Sequence, residues 1–188
     1  SETLALRREV GRGEPGAMNF VLAAGGTGGH MIPAHALAAE LKARGHAVLL
    51  ITDERGSKIP GLFRNVPVEI LPAGRLAKNP LGLLRAARSV LAGRRAAKRL
   101  YAEFRPHCVV GFGGYPAFPA LLAASAMGVP TVLHEQNAVL GRVNRLLAGD
   151  AEAVATAYER IERLKDRHAH KAVLVGNPVR EAIVKLGE

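Results

Sequence analysis

His30 closes the run Gly25-Gly26-Thr27-Gly28-Gly29-His30. An imidazole beside that much bare backbone is the first place in the chain where chemistry suggests itself. Glycines lack the Cβ that would keep an anion from backbone N–H groups, and a helix N-terminus adds partial positive charge at the same point. The same dipole lowers the pKa of an imidazole and favours its neutral form. That suits a general base taking a proton from a hydroxyl. It equally suits a hydrogen-bonding or packing residue. Glu135 is the second candidate for proton transfer, with pairing to an arginine or capping of a helix as its ordinary alternative. The neighbouring amides of Gln136 and Asn137 suit sugar hydroxyls, and Arg180 offers a guanidinium fork for phosphate or carboxylate. The glycine run is neither of the familiar phosphate loops. It lacks the Lys-Ser/Thr of a P-loop, and Met31 stands where the third glycine of GxGxxG would fall.

Asp53 follows the second expected strand, where an acid holds a ribose in dinucleotide-binding folds. Without the third glycine, a solvated loop acid is the preferred reading, and an NAD(P)-binding oxidoreductase remains as a rival class. His134 is expected to point away from Glu135 as a structural residue. His30 and His35 are five apart rather than the four that stack two ligands on a helix face. No Asp-x-Asp pair is present, so neither a metal nor a cofactor is expected. Cys108, the single cysteine, is expected as a buried thiol in a strand, which fits a reducing cytoplasm.

These residues need elements that bring them to one edge. Apolar runs at 19–24, 47–52, 68–71, 107–111, 131–134, 153–156 and 172–175 read as strands. Helices are expected at 31–44, from Pro80 to about Phe104, at 118–127, 142–147 and 159–167, and after 180. Each chemically rich turn, at 25–30, 111–115, 135–137 and 176–180, follows the carboxyl end of a strand. In an open parallel α/β sheet that edge is where ligands bind. The fold class is therefore α/β, a Rossmann-like, open, mostly parallel sheet with helices on both faces. Thr27, Gly28, Gly29, Tyr115, Gln136, Asn137 and Arg180 are expected to line the crevice with His30 and Glu135.

The 188 residues suffice for one well-cored domain. Residues 1–17 read as an N-terminal extension with no apolar core of a secretory signal, and 18–188 as the domain. A net charge of +10 points to an anionic partner. No apolar run reaches the ~18 residues that span a bilayer. Between Arg75 and Arg105 nine Lys/Arg face a single acid, Glu103, with leucines interleaved and Gly82 and Gly93 as local weak points. A basic amphipathic helix reads as membrane-surface binding through Leu81, Leu84, Arg85, Arg88, Arg94 and Arg95, or as an ordinary helix with a solvated basic face. Half of the cations facing an anionic leaflet would contribute about 4–5 kcal/mol, enough for reversible attachment. Aromatic residues for stacking on bases are few and no nucleic-acid motif is present, so nucleic acid is not expected as a partner.

Gly25-Gly26-Thr27-Gly28-Gly29-His30, Gly111-Phe112-Gly113-Gly114-Tyr115, His134-Glu135-Gln136-Asn137 and Gly176-Asn177-Pro178-Val179-Arg180 follow the order and spacing of the MurG family. The chain resembles this family of bacterial glycosyltransferases from about Met18 onward. The resemblance implies a GT-B architecture of two Rossmann-like halves. It also implies inverting, metal-independent transfer of N-acetylglucosamine from UDP-N-acetylglucosamine to undecaprenyl-linked muramyl-pentapeptide in peptidoglycan synthesis. By family analogy Thr27, Gly28, Gly29, Asn137 and Arg180 match substrate contacts and His30 the proposed base. A peripheral enzyme on the cytoplasmic face of the bacterial inner membrane is implied as well. The family has a second half that holds the nucleotide donor. This chain is expected to be the acceptor-binding half, needing a C-terminal donor half in cis or in trans. A non-catalytic subunit recruiting such a partner to the membrane is the alternative, as in a related eukaryotic transferase split into two chains.

Overall fold

The computed structural model describes residues 16–74 and 79–178. Most of the N-terminal extension, the start of the basic stretch at 75–78, Arg180 and the expected closing helix lie outside the described residues.

Seven strands form one sheet in which every pairing is parallel: β1 (Asn19–Ala23), β2 (Ala47–Thr52), β3 (Val68–Ile70), β4 (Cys108–Gly111), β5 (Thr131–Glu135), β6 (Ala153–Thr156) and β7 (Ala172–Leu174). Their order is β3-β2-β1-β4-β5-β6-β7. The central strands are apolar on both sides, as strands covered by helices on both faces must be. Alternate residues serve alternate cores. Val21, Ala23, Leu49, Ile51 and Val109 pack on one face, while Leu22, Ala24, Leu50, Val110 and Phe112 pack on the other.

Helix α1 (Gly28–Ala43) covers the second face with Met31, Ala34 and Ala38. Helices α2 (Pro80–Phe104), α3 (Ala117–Ala126) and α4 (Arg142–Leu147) cover the first. Asn79 caps α2 through its side-chain oxygen, which accepts from the Gly82 N–H at 2.6 Å. Gly93 is not a weak point in α2. A Cβ there would stand 2.0 Å from the Pro72 carbonyl oxygen and 3.0 Å from Pro119 Cβ, so its missing side chain lets helix, loop and α3 meet.

Two elements differ from expectation. Helix α1 begins three residues earlier than the apolar pattern suggests, because Thr27 adopts the extended N-cap conformation and Gly28 and Gly29 form the first turn. His30 thus belongs to the helix. Residues 159–167 do not form the expected helix: 159–165 are irregular and only 166–167 join a 3-10 turn. Glu162 bridges Val139 in parallel, donating to the Ala138 carbonyl at 2.8 Å and accepting from the Leu140 N–H at 3.0 Å. Arg163 takes a left-handed φ of 65°, and Ile161 and Leu164 pack against the first core. Pairing with a distant segment outweighs the local helical pattern, and a 3-10 turn at Asp166–Lys171 leads into β7.

Candidate active site

Strand order reverses between β1 and β4, whose following helices lie on opposite faces. This switch point opens a crevice beyond the carboxyl ends of the strands, and the two glycine turns meet in it. The Gly25 N–H donates to the Gly113 carbonyl at 2.9 Å. A Cβ on Gly25 would stand 2.9 Å from Gly114 Cα, and one on Gly114 2.6 Å from Gly25 Cα. Gly113 and Gly114 also have left-handed φ values of 93° and 82°. Gly26 is fixed by its own neighbours, with Asp53 Oδ1 2.1 Å from where its Cβ would lie. Close backbone packing and left-handed φ are what require glycine at these positions. Gly28 and Gly29 differ: a Cβ on Gly28 would meet only Ile32 Cδ1 at 3.9 Å, and one on Gly29 nothing within 4 Å. Packing does not require glycine at either, and both stand at the open N-terminus of α1.

His30 projects from that first turn against the second glycine turn, where a Cβ on Gly113 would come within 3.2 Å of His30 Nε2. Its Nδ1 lies 3.0 Å from Thr27 Oγ1. Burial lowers the pKa of the imidazole below 6.5, partly opposed by the negative charge of Glu135. The ring is therefore neutral at pH 7, with one nitrogen held by Thr27 and the other turned to the Gly113 side of the crevice. The crevice has a volume of about 210 Å³ and is bordered also by Tyr115, Glu135, Asn137 and the start of α4.

Glu135 is brought to this crevice but is heavily engaged. It is buried, and its two oxygens accept from four N–H groups. Oε1 takes the Asn137 backbone N–H at 3.1 Å and Nδ2 at 3.0 Å. Oε2 takes the Gly141 N–H at 2.8 Å and Asn144 Nδ2 at 3.0 Å. Gln136, expected to face a ligand, instead turns its amide back, donating to the Phe112 carbonyl at 3.2 Å. His134 is buried and structural, its Nε2 3.1 Å from the Gly176 carbonyl. Asp53 accepts from the Gly56 N–H at 2.9 Å and from Arg55 at 3.0 Å, so it closes its own turn instead of awaiting a ribose. Among the described residues, no three His, Cys, Asp or Glu side chains gather as a metal ion would need.

Asn144 was not singled out from the sequence. It is buried, its Nδ2 is shared between Glu135 and the His134 carbonyl, and its Oδ1 has no partner. A buried acceptor without a donor at the wall of a crevice is ready for a ligand hydroxyl. Its sequence signal is spacing: Asn144 and Leu147 share the buried side of α4, and a polar residue on such a stripe has a reason to be there.

On α2, Leu81, Leu84, Arg85, Arg88 and Arg95 are all exposed. Arg94 departs from that group. It is partly buried, with its Nε shielded and unpartnered, because it shares the inward stripe with Val90 and Ala97.

Residues 20–156 match the glycosyltransferase family 28 N-terminal domain. The chain belongs to this family. It is 61% identical over 168 residues to the UDP-N-acetylglucosamine–N-acetylmuramyl-(pentapeptide) pyrophosphoryl-undecaprenol N-acetylglucosamine transferase of Erythrobacter litoralis, covering 89% of this chain and 42% of that protein. It is 58% identical over 171 residues to the enzyme of the same name from Zymomonas mobilis, covering 91% and 44%. The crystal structure of Acinetobacter baumannii MurG superposes with a TM-score of 0.73 at 31% identity, over 87% of this chain and 47% of that one. The family 28 fold seen here is one Rossmann-like half of a GT-B glycosyltransferase. The chain spans less than half the length of these relatives.

Proposed function

We propose that this chain is the acceptor-binding half of an inverting transferase. It would move N-acetylglucosamine from UDP-N-acetylglucosamine to undecaprenyl-linked muramyl-pentapeptide, with the donor held by a second half in cis or in trans. The observation that carries the reading is the Thr27–His30 pair at the switch point, a neutral imidazole oriented by a hydroxyl. For Nε2 to accept a proton, Nδ1 carries the hydrogen and donates it to Thr27 Oγ1. His30 Nε2 then takes the proton of the acceptor sugar hydroxyl as that oxygen attacks the anomeric carbon of the donor. The bond to the nucleotide diphosphate breaks, and the departing UDP takes the electron pair.

The N–H groups of Gly28 and Gly29 at the α1 N-terminus receive the acceptor pyrophosphate. Asn137, Asn144 and Tyr115 contact the sugar, and Arg180 keeps the substrate-contact role that the family resemblance implies. Gln136 serves by bracing the turn. Glu135 acts as the clamp of the loop and not as the base, because both of its oxygens are already taken up by four N–H donors of the loop and α4. The exposed stripe of α2 rests on the cytoplasmic face of the plasma membrane. That no described helix is long and apolar enough to cross a membrane is compatible with such peripheral attachment.

Transfer of labelled N-acetylglucosamine tests the reading. The chain alone gives no turnover, and joining it to a donor-binding half restores it. Robust turnover by the chain alone overturns the two-half assignment. His30→Ala in the joined enzyme lowers kcat by about 10²–10⁴-fold. Unchanged kcat removes His30 as the base and favours a recruiting subunit.

A further inference from the structure

A second cavity adjoins the crevice and differs from it in chemistry. It has a volume of about 520 Å³, within the ~300–1,000 Å³ of small-molecule sites. Its walls are apolar: Leu83, Ala87, Val90 and Leu91 of α2, Phe118 of α3 and Leu146 of α4. The cause lies in α2. One stripe of this helix buries Ala97, Tyr101 and Phe104 in the core. The same stripe continues back through Val90, Ala87 and Leu83, where α3 and α4 stand off and leave it open. Leu83 and Leu91 are each 48% exposed and Leu146 69% exposed. That is a contiguous apolar surface, which a soluble protein keeps for a partner.

Tyr115, Arg142 and Val143 border both cavities, so the polar crevice and the apolar groove are continuous. Arg142 is exposed, and among the described residues no carboxylate pairs with it. A guanidinium at the seam of a polar and an apolar cavity matches an amphiphile whose anionic group joins a polar head to a hydrocarbon tail.

The geometry points to this groove as the seat of the first isoprene units of a polyprenyl pyrophosphate, with Arg142 on the phosphate nearest the chain. The assignment rests on the proposed function, which supplies an acceptor of that chemistry, and it adds a tail site and a positioning residue. It divides labour between two anion contacts. The α1 N-terminus holds the phosphate nearest the sugar, and Arg142 holds the one nearest the lipid.

Calorimetry on the chain with farnesyl pyrophosphate, inorganic pyrophosphate and farnesol tests it. Farnesyl pyrophosphate binds at least about tenfold more tightly than inorganic pyrophosphate, the tail supplying the difference. Arg142→Leu weakens farnesyl pyrophosphate about tenfold and leaves farnesol unchanged. Ala87→Trp, which fills the groove from an exposed position, weakens farnesyl pyrophosphate and leaves inorganic pyrophosphate unchanged. Leu83→Ser does the same to a smaller degree without adding bulk. Equal affinity for farnesyl pyrophosphate and inorganic pyrophosphate overturns the assignment. So does a change in sedimentation with Ala87→Trp at unaltered farnesyl pyrophosphate affinity, since the groove is then covered by a second copy of the chain. No donor sugar takes part in these measurements. Equal affinities beside a transfer that still depends on His30 remove the groove and leave the function standing. Loss of transfer beside tail-dependent binding does the reverse.

Discussion

His30 and Glu135 face one crevice, yet their surroundings assign them different work. His30 has a single side-chain partner, Thr27, and a pKa pushed down by burial. A base must be deprotonated to act, so activity falls as acidification protonates the ring. Because the pKa is lowered from 6.5, the acid limb of kcat against pH lies below 6.5. Thr27→Val frees Nδ1 and its tautomer, lowering kcat roughly five- to tenfold for the loss of one oriented hydrogen bond, and Thr27→Ser restores it. A pH limb above 6.5 would contradict the environment found for the ring. Glu135→Ala strands four N–H donors and lowers stability by about 1–3 kcal/mol in denaturant unfolding. Its effect on transfer then tracks the unfolded fraction. Residue types alone nominate both side chains for proton transfer. What separates them is Gly141 and Asn144, which arrive from the next element and could not be assigned to Glu135 before the chain was folded.

At the scale of elements, strands were the most legible feature, because a sheet covered on both faces writes near-continuous apolar runs bounded by glycine, proline and polar turns. Helix α2 was legible from Pro80 to Phe104 through the proline at its start and its interleaved apolar residues. The expected helix at 159–167 was not, since its real conformation depends on a bridge to Val139 that local periodicity does not carry. Glycines were ambiguous for a similar reason: the same residue type serves close packing at one position and open space at the next. Substitution separates these uses. Gly25→Ala drives a methyl group into Gly114, and Gly93→Ala drives one into the Pro72 carbonyl. Each lowers stability by roughly 1–3 kcal/mol, as overpacking does. Gly29→Ala meets nothing within 4 Å and leaves the melting temperature unchanged, while weakening inorganic pyrophosphate binding at the α1 N-terminus. A stable Gly25→Ala protein, or a Gly29→Ala protein that unfolds early, would reverse the roles given to the two halves of the turn.

For the molecule as a whole, the net charge of +10 matters through where it is displayed. Leu81, Leu84, Arg85, Arg88, Arg95 and Arg99 are exposed, and their spacing puts them on the side of α2 away from the sheet. This places two apolar groups near the helix N-terminus and a basic row behind them. The groove of Leu83, Ala87 and Val90 opens on a different side, so surface attachment and tail binding need not compete for the same side chains. Cations near an anionic leaflet are worth ~1 kcal/mol each. Replacing Arg85, Arg88, Arg95 and Arg99 by Ser therefore lowers partitioning onto phosphatidylglycerol vesicles by about 10²–10³-fold. The same loss comes on in the unaltered protein as salt rises, because the Debye length shrinks from about 10 Å at 0.1 M to about 3 Å at 1 M. Leu81→Asp with Leu84→Asp lowers partitioning at every salt concentration, since it removes apolar insertion rather than charge. Vesicle flotation at two salt concentrations reads both effects. Binding that survives the four replacements would place attachment elsewhere on the surface and leave the basic row as a solvated helix face.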